Sequence, residues 1–134
     1  MGASDNIKTI QLIYEAFGSG DLNAILDRVT DDVDWAAEAS STVAPWYGAR
    51  HGKDGVAAFF EGFGSSMEVQ EFTPFAFAGN DTEVHTVVHC RATARATGRA
   101  IDHNLHHFFR FRDGKISYYR GTEDTAQTEV ALRP

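Results

Sequence analysis

The chain has 134 residues, 43% hydrophobic and 23% charged, which is the composition of one globular domain with a core of its own. Its 12 Lys and Arg against 19 Asp and Glu give a formal net charge of −7, which argues against binding to nucleic acids or anionic membranes. The only cysteine, Cys90, excludes an intramolecular disulfide, and residues 1–10 lack the apolar run of a secretory signal. We therefore expect a cytoplasmic protein.

Three helices are predicted in the first half of the chain, where apolar residues recur at helical spacing. The first helix covers residues 5–17 and is ended by Gly18 and Gly20. A second begins at Asp21, whose side chain can cap it, and a third covers about 53–63. The second and third helices are separated by a long connection, 40–52, of the kind that often forms the rim of a binding pocket.

The second half of the chain changes to the alternating pattern that is typical of β-strands. The predicted strands are residues 31–37, before the long connection, and residues 69–78, 83–97, 100–112 and 115–122. Asp113-Gly114 is a strong hairpin signal between the last two strands. Helices first and a meander of long strands afterwards predict a single α+β domain, 1–134, with the helices on one face of an antiparallel sheet.

Six short motifs follow one another along the chain. They are Gly20-Asp21-Leu22, Asp31-Asp32-Val33-Asp34-Trp35, Tyr47-Gly48-Ala49-Arg50-His51-Gly52, Thr97-Gly98-Arg99, Phe109-Arg110-Phe111-Arg112-Asp113-Gly114-Lys115-Ile116 and Glu123-Asp124-Thr125-Ala126. In this order and spacing they resemble the SnoaL-like branch of the nuclear-transport-factor-2-like (NTF2-like) proteins. The resemblance implies a cone-shaped α+β barrel, in which a curved antiparallel sheet wraps around three N-terminal helices and encloses a pocket. It also implies a homodimer that packs through the outer face of the sheet.

The same superfamily includes ketosteroid isomerase, polyketide cyclases, scytalone dehydratase and limonene epoxide hydrolase, and many members without catalysis. Counted along the motifs, the tyrosine of the ketosteroid isomerase site falls on Ile13, one residue before Tyr14, and its aspartate falls on His107. The position of its catalytic base falls on Ala37, next to Glu38. The usual steroid isomerase residues are therefore not carried over, and the resemblance supports the fold more strongly than any one reaction.

Four histidines lie on two adjacent predicted strands. In the strand 100–112, alternation places His103 and His107 on the more apolar face, so we expect both to point into the pocket. His106 and, on the preceding strand, His89 fall on the outer face. An outer polar face of this kind suits a dimer contact better than catalysis.

His107 and Glu38 are the two candidate catalytic residues. An imidazole titrates near neutral pH, so His107 could transfer a proton or orient a substrate oxygen. The alternative is a cavity histidine that a neighbouring hydroxyl satisfies. Beside Trp35 and two alanines, the Glu38 carboxylate would be partly desolvated, which favours a general base. The alternative there is a solvated loop glutamate.

Aromatic residues are the predicted wall of the pocket. The predicted substrate-binding residues are Tyr14, Trp35, Trp46, Tyr47, Phe59, Phe63, His103 and Tyr119. The phase of the last strand is open, since a bulge would exchange the directions of Tyr118 and Tyr119. No metal and no cofactor are expected, because His103 and His107 would lie roughly 13 Å apart on a strand and no metal, phosphate or dinucleotide motif is present.

Three functions fit these features. The first is a cofactor-independent isomerase, cyclase or dehydratase that applies general acid–base chemistry to a small, apolar, cyclic and oxygenated metabolite. The second is a binding protein of the same fold for a small apolar or aromatic ligand. The third is an interaction domain whose cavity is vestigial.

Overall fold

The computed structural model describes residues 2–134. Its helices are α1 (Ala3–Ser19), α2 (Leu22–Leu26), α3 (Gly52–Ser66) and α4 (Thr125–Leu132), and its strands are β1 (Val29–Ala37), β2 (Gly48–His51), β3 (Met67–Gly79), β4 (Glu83–Ala94), β5 (Ala100–Arg112) and β6 (Lys115–Thr122). The three predicted helices and five predicted strands are present. Two further elements, β2 and α4, lie where the sequence pattern predicts none. No helix in residues 2–134 combines the length and apolar character that crossing a bilayer requires.

The strands form one curved sheet in the order β2-β1-β6-β5-β4-β3. Neighbouring strands are antiparallel except for β1 and β6, which run parallel. The prediction of a purely antiparallel sheet is therefore wrong at this one pair. Strand β1, which follows α2, runs in the same direction as β6, which follows the β5–β6 hairpin. Their parallel register places Trp35 beside Tyr119.

Helices α1 and α3 pack against one face of the sheet and form two clusters of buried residues with it. One cluster contains Ile10 of α1, Val56 of α3 and Phe109 of β5, all 1% exposed or less. The other is centred on the β4–β5 half of the sheet and includes Cys90 and Leu105. Both clusters contribute to the wall of one internal cavity.

Helix α4 follows β6 and is capped by Asp124, whose side chain accepts a hydrogen bond from the Gln127 backbone N–H. It buries Thr128 and Ala131 and contacts β4 and β5. With two buried residues in eight, its sequence has no apolar stripe, which explains why periodicity does not predict it. The turn into α4 places Glu123 at the cavity.

Candidate functional site

An internal cavity lies between α1, α3 and the inner face of the sheet, with walls that are mostly apolar and aromatic. About 70 Å³ of it is open to the centres of water-sized molecules, several times the roughly 10–15 Å³ that one water needs. Eight of the ten predicted site residues line it, namely Tyr14, Trp35, Trp46, Phe59, Phe63, His103, His107 and Tyr119. The structure thus brings these side chains together, while their roles in binding and catalysis stay predictions.

A chain of three hydrogen-bonded side chains from α1, β4 and β5 reaches this cavity. The Tyr14 hydroxyl lies 2.8 Å from His107 Nδ1 and is also hydrogen-bonded to the Thr86 hydroxyl. Thr86 and His107 face each other as register partners on β4 and β5. Tyr14 follows the buried Ile10 by four residues, so the helix face that packs on the sheet also carries Tyr14 to His107.

Burial holds His107 and Tyr14 in their neutral forms. Desolvation, with a smaller contribution from the charge of neighbouring His106, lowers the pKa of His107 to about 3. Burial also raises the pKa of the Tyr14 hydroxyl, although the hydrogen bond with Thr86 opposes this shift. His107 is partly exposed and is one of the residues that line the cavity. At neutral pH the site therefore presents a neutral imidazole and a neutral phenol.

Thr86 determines which nitrogen of His107 carries the proton. Among the described residues, Tyr14 is the only side-chain hydrogen-bond partner of the buried Thr86 hydroxyl. If Thr86 donates to Tyr14, Tyr14 donates to His107 Nδ1 and both hydroxyl protons are used. The opposite direction would leave the Thr86 proton without an acceptor, at a cost of about 1–3 kcal/mol. The imidazole proton is therefore assigned to Nε2.

Tyr119 forms the wall beside His107, and Gly121 makes room for it. The Tyr119 ring stacks on the Trp35 indole with ring centroids 4.1 Å apart, and burial raises the pKa of its hydroxyl. A Cβ at position 121 would overlap the Tyr119 hydroxyl and lie 3.4 Å from His107 Cδ2, so glycine is required there. A register shift between β5 and β6 sets the strand phase, and Tyr119 rather than Tyr118 faces the cavity.

Glu123 is a cavity carboxylate that sequence reasoning missed. It accepts hydrogen bonds from Trp46 Nε1 at 3.4 Å, from the Tyr47 hydroxyl at 3.0 Å and from the Thr128 hydroxyl. Tyr47, predicted as a wall residue, instead lies behind the wall and holds this carboxylate. No local pattern marks Glu123, because it follows the last strand and Trp46 and Tyr47 are 77 and 76 residues away in the chain.

Glu38, the predicted general base, does not face the cavity. Ala37 lines the cavity, and the alternation of an extended chain turns the next side chain away from it. Glu38 is exposed in an open depression on the outside, beside Gly48 and Arg120. Its backbone N–H donates to the Gly121 carbonyl at 2.8 Å, which fixes this orientation. The structure thus corrects the expected placement of Glu38 and shows the solvated alternative.

Cys90 also borders the cavity, as a protonated thiol. Burial, followed by the charges of Glu123, Asp102 and Glu71, raises its pKa to about 12. A thiol with this pKa is a packed group rather than a nucleophile at neutral pH. Within residues 2–134, no three His, Cys, Asp or Glu side chains are grouped as ligands for a metal ion.

The chain belongs to the SnoaL-like domain family, whose model matches residues 10–119. It is similar to the structure of an NTF2-like protein of unknown function from Burkholderia pseudomallei, with 26% identity, a TM-score of 0.89 and coverage of 97% of this chain and 98% of that chain. It is similar to TerC co-crystallised with polyporic acid, with 21% identity, a TM-score of 0.84 and coverage of 97% and 99%. An LEH-like epoxide hydrolase of M. tuberculosis has 13% identity, a TM-score of 0.74 and coverage of 97% and 90%. No curated protein matches the sequence.

These similarities confirm the family resemblance and the NTF2-like α+β fold that the sequence predicts. TerC and the epoxide hydrolase are both less than 25% identical to this chain, so they share its fold and establish nothing about its chemistry. The activity has to be argued from the residues that line the cavity.

The desolvation of His107 predicts a specific dependence of stability on pH. Because the folded pKa is about 3 and an unfolded histidine has a pKa of about 6.5, the unfolded chain binds the extra proton between these values. The free energy of unfolding should therefore fall as pH decreases through this window, by at most about 1.4 kcal/mol per pH unit from this group. In His107→Gln this contribution disappears, and urea unfolding at several pH values measures the difference in slope.

His106→Gln is the matched control, since His106 is the exposed neighbour on the same strand. It should retain most of the wild-type slope between about pH 6.5 and 3. If His107→Gln and the wild type had equal slopes there, the assignment of a buried, neutral His107 would be contradicted.

Proposed function

We propose that the protein is a cofactor-independent enzyme, an isomerase, cyclase or dehydratase, that moves a proton on a small, apolar, cyclic and oxygenated metabolite. The observation that carries this proposal is the hydrogen bond between Tyr14 and His107 Nδ1 in the wall of an apolar cavity. Polar side chains cost free energy when they are buried, and apolar residues of similar size would pack this wall without that cost. An oxygen atom of a bound ligand would give His107 Nε2 a hydrogen-bond partner, which would explain why polar side chains are kept in this wall.

His107 and Tyr119 are the proposed donors to the substrate oxygen. Their rings are 5.3 Å apart between centroids and line the same part of the cavity. With Nδ1 accepting from Tyr14, Nε2–H of a neutral imidazole can donate a hydrogen bond to a carbonyl as negative charge develops on its oxygen. In a dehydration it can donate a hydrogen bond to the departing hydroxyl, which leaves as water with the proton that the base takes from the substrate. Such donors stabilise charge more strongly in an apolar cavity than in water, because no solvent competes with them.

Glu123 replaces Glu38 as the proposed general base. It is the only carboxylate among the described residues that line the cavity. The bonds from Trp46, Tyr47 and Thr128 fix its orientation, which is what a proton acceptor for a bound substrate needs. General acid–base steps of this type contribute roughly 10²–10⁴-fold each.

The structural relatives support a small-molecule site. TerC was co-crystallised with polyporic acid, and the relative from M. tuberculosis is named an epoxide hydrolase. Both names associate this fold with small organic molecules. They leave the substrate of the present chain to experiment.

A binding protein without turnover is the second candidate, and one observation favours it. The two Glu123 oxygens already accept three hydrogen bonds, which leaves little of the carboxylate free to take a substrate proton. In that case His107 and Tyr14 would only satisfy a polar group of the ligand. The third candidate, an interaction domain with a vestigial cavity, is less favoured because the cavity is open to several water-sized molecules.

Ligand binding should be visible as thermal stabilisation. We expect at least one member of a panel of cyclic ketones, hydroxylated aromatics, terpenoids and steroids to raise the melting temperature. A ligand at 100 times its dissociation constant adds about 2.7 kcal/mol, which corresponds to a shift of at least a few degrees. The shift should shrink in His107→Ala. A panel without any shift would favour the interaction domain.

Turnover of a ligand found in this way should depend on Glu123 and His107. Glu123→Gln removes the proposed base and should lower kcat by about 10²–10⁴-fold, and His107→Leu should lower it by about 10²–10³-fold. The comparison is Glu38→Gln, which changes the same chemical group outside the cavity and should leave kcat within a few-fold. A large loss in Glu38→Gln with full activity in Glu123→Gln would restore the base that the sequence predicts and refute the present assignment.

We also propose a homodimer through the outer face of the sheet. On that face Arg110 lies between Phe108 and Tyr118, with its guanidinium 5.1 and 4.7 Å from the two ring centroids. Phe75 on β3 is 57% exposed. Aromatic and arginine side chains are enriched at protein interfaces. Sedimentation equilibrium should give a dimer that Phe108→Glu weakens, and a wild-type monomer at high protein concentration would exclude this contact.

A further inference from the structure

His103 is buried in the cavity wall with both ring nitrogens unpaired. Its exposed fraction is 8%, and within residues 2–134 neither Nδ1 nor Nε2 has a hydrogen-bond partner. Buried polar atoms without partners are rare in folded proteins, because each one loses its bonds to water and gains nothing in return. Because an apolar side chain would fill this position without that cost, packing alone does not explain a histidine here.

The unpaired atoms of this protein are concentrated at the cavity. Five buried side-chain nitrogen and oxygen atoms of the described residues have no partner, and three of them belong to the cavity residues His103 and Trp35. The other two belong to Thr30 and Arg50, which do not line the cavity. This distribution indicates that the cavity wall is built to meet polar atoms of a ligand.

His103 and His107 stand at two separate points of the same wall. Both lie on the inner face of β5, and the unbroken register with β4 places them roughly 13 Å apart along the strand. Leu105, also in the cavity wall, lies between them and is apolar. At the His107 end the imidazole is held by Tyr14, whereas at the His103 end the register partner Cys90 gives no hydrogen bond.

We infer that His103 and His107 are paired anchors for a flat, elongated, apolar molecule that carries an oxygen at each end, a dihydroxylated or hydroxy-keto ring system. This inference rests on the proposed function, and adds the class of substrate to it. His107 contacts the oxygen next to the reacting centre, and His103 binds the oxygen at the far end and sets the specificity. A neutral imidazole has one donor and one acceptor, so the far oxygen can belong to a hydroxyl or a carbonyl. The aromatic rings that line the cavity favour flat rings, which can stack on them.

The test compares two probes that differ by one hydroxyl. The first is para,para′-biphenol, which has a hydroxyl at each end of two rings, and the second is para-phenylphenol, which has one. Calorimetry should show that the wild type binds the biphenol about tenfold more tightly, since one good hydrogen bond to a buried partner has about that value. In His103→Leu the two affinities should become equal, while His103→Gln should keep part of the preference.

His106→Leu is the matched control, because it removes an exposed imidazole from the outer face of the same strand. It should keep the tenfold preference. In addition, His103→Leu should raise the melting temperature of the ligand-free protein by at least about 2 °C, because it removes an unpaired buried polar group; a histidine needed for packing would lower it.

The outcomes separate this inference from the proposed function. If the wild type binds both probes equally, or if His103→Leu keeps the tenfold preference, the two-anchor inference is wrong while the apolar site stands. If neither probe binds the wild type although a member of the ligand panel raises its melting temperature, the two-anchor inference fails and the proposed function stands. If neither the probes nor the panel bind, the proposed function itself fails. Loss of the preference in His103→Leu and its retention in His106→Leu would support the inference.

Discussion

The hydrogen bond between the Tyr14 hydroxyl and His107 Nδ1 connects the first helix to the inner face of the sheet and sets the chemistry of the cavity. It depends on the packing of α1 through Ile10, on the register that places Thr86 opposite His107, and on burial that keeps the imidazole neutral. Because the Tyr14 hydroxyl donates a hydrogen bond to Nδ1, the proton of the neutral imidazole is on Nε2. A neutral donor is thereby positioned without a cofactor, which is the property that the proposed reaction requires.

The polar side chains in the cavity wall lower the stability of the fold. A purely apolar wall would have lower energy than one containing His103 with two unpaired nitrogens, and glycine at position 121 gives up packing so that the Tyr119 hydroxyl fits. Functional sites commonly contain such local costs, which the rest of the fold offsets. The well-packed clusters on either side, including Ile10 and Cys90, supply that compensation. The polar atoms of His103 and His107 therefore indicate where a ligand carries oxygen atoms, whereas the aromatic wall indicates only that the ligand is apolar.

Much of this site could be predicted from the sequence, because alternation along β5 is regular. It places His103 and His107 inward without knowledge of the fold. The prediction for Glu38 is wrong because its apolar neighbours indicate a desolvated carboxylate, whereas the alternation of β1 continues past Ala37 and turns the Glu38 side chain outward. Glu123 could not be found, since its partners come from the distant long connection and from α4, a helix with no apolar periodicity. The inward phase of Tyr119 depends on a register shift, which no local pattern encodes.

The first measurement is the protonation state of His107, by nitrogen-15 NMR of the histidine side chains, with His107→Gln for assignment. We expect a neutral ring with its proton on Nε2 and nitrogen shifts that stay constant between about pH 5 and 8, because burial lowers the pKa of His107 to about 3. In Tyr14→Phe the Nδ1 signal should move, since its hydrogen bond is lost. A His107 signal that titrates near pH 6.5, the ordinary histidine value, would contradict the account.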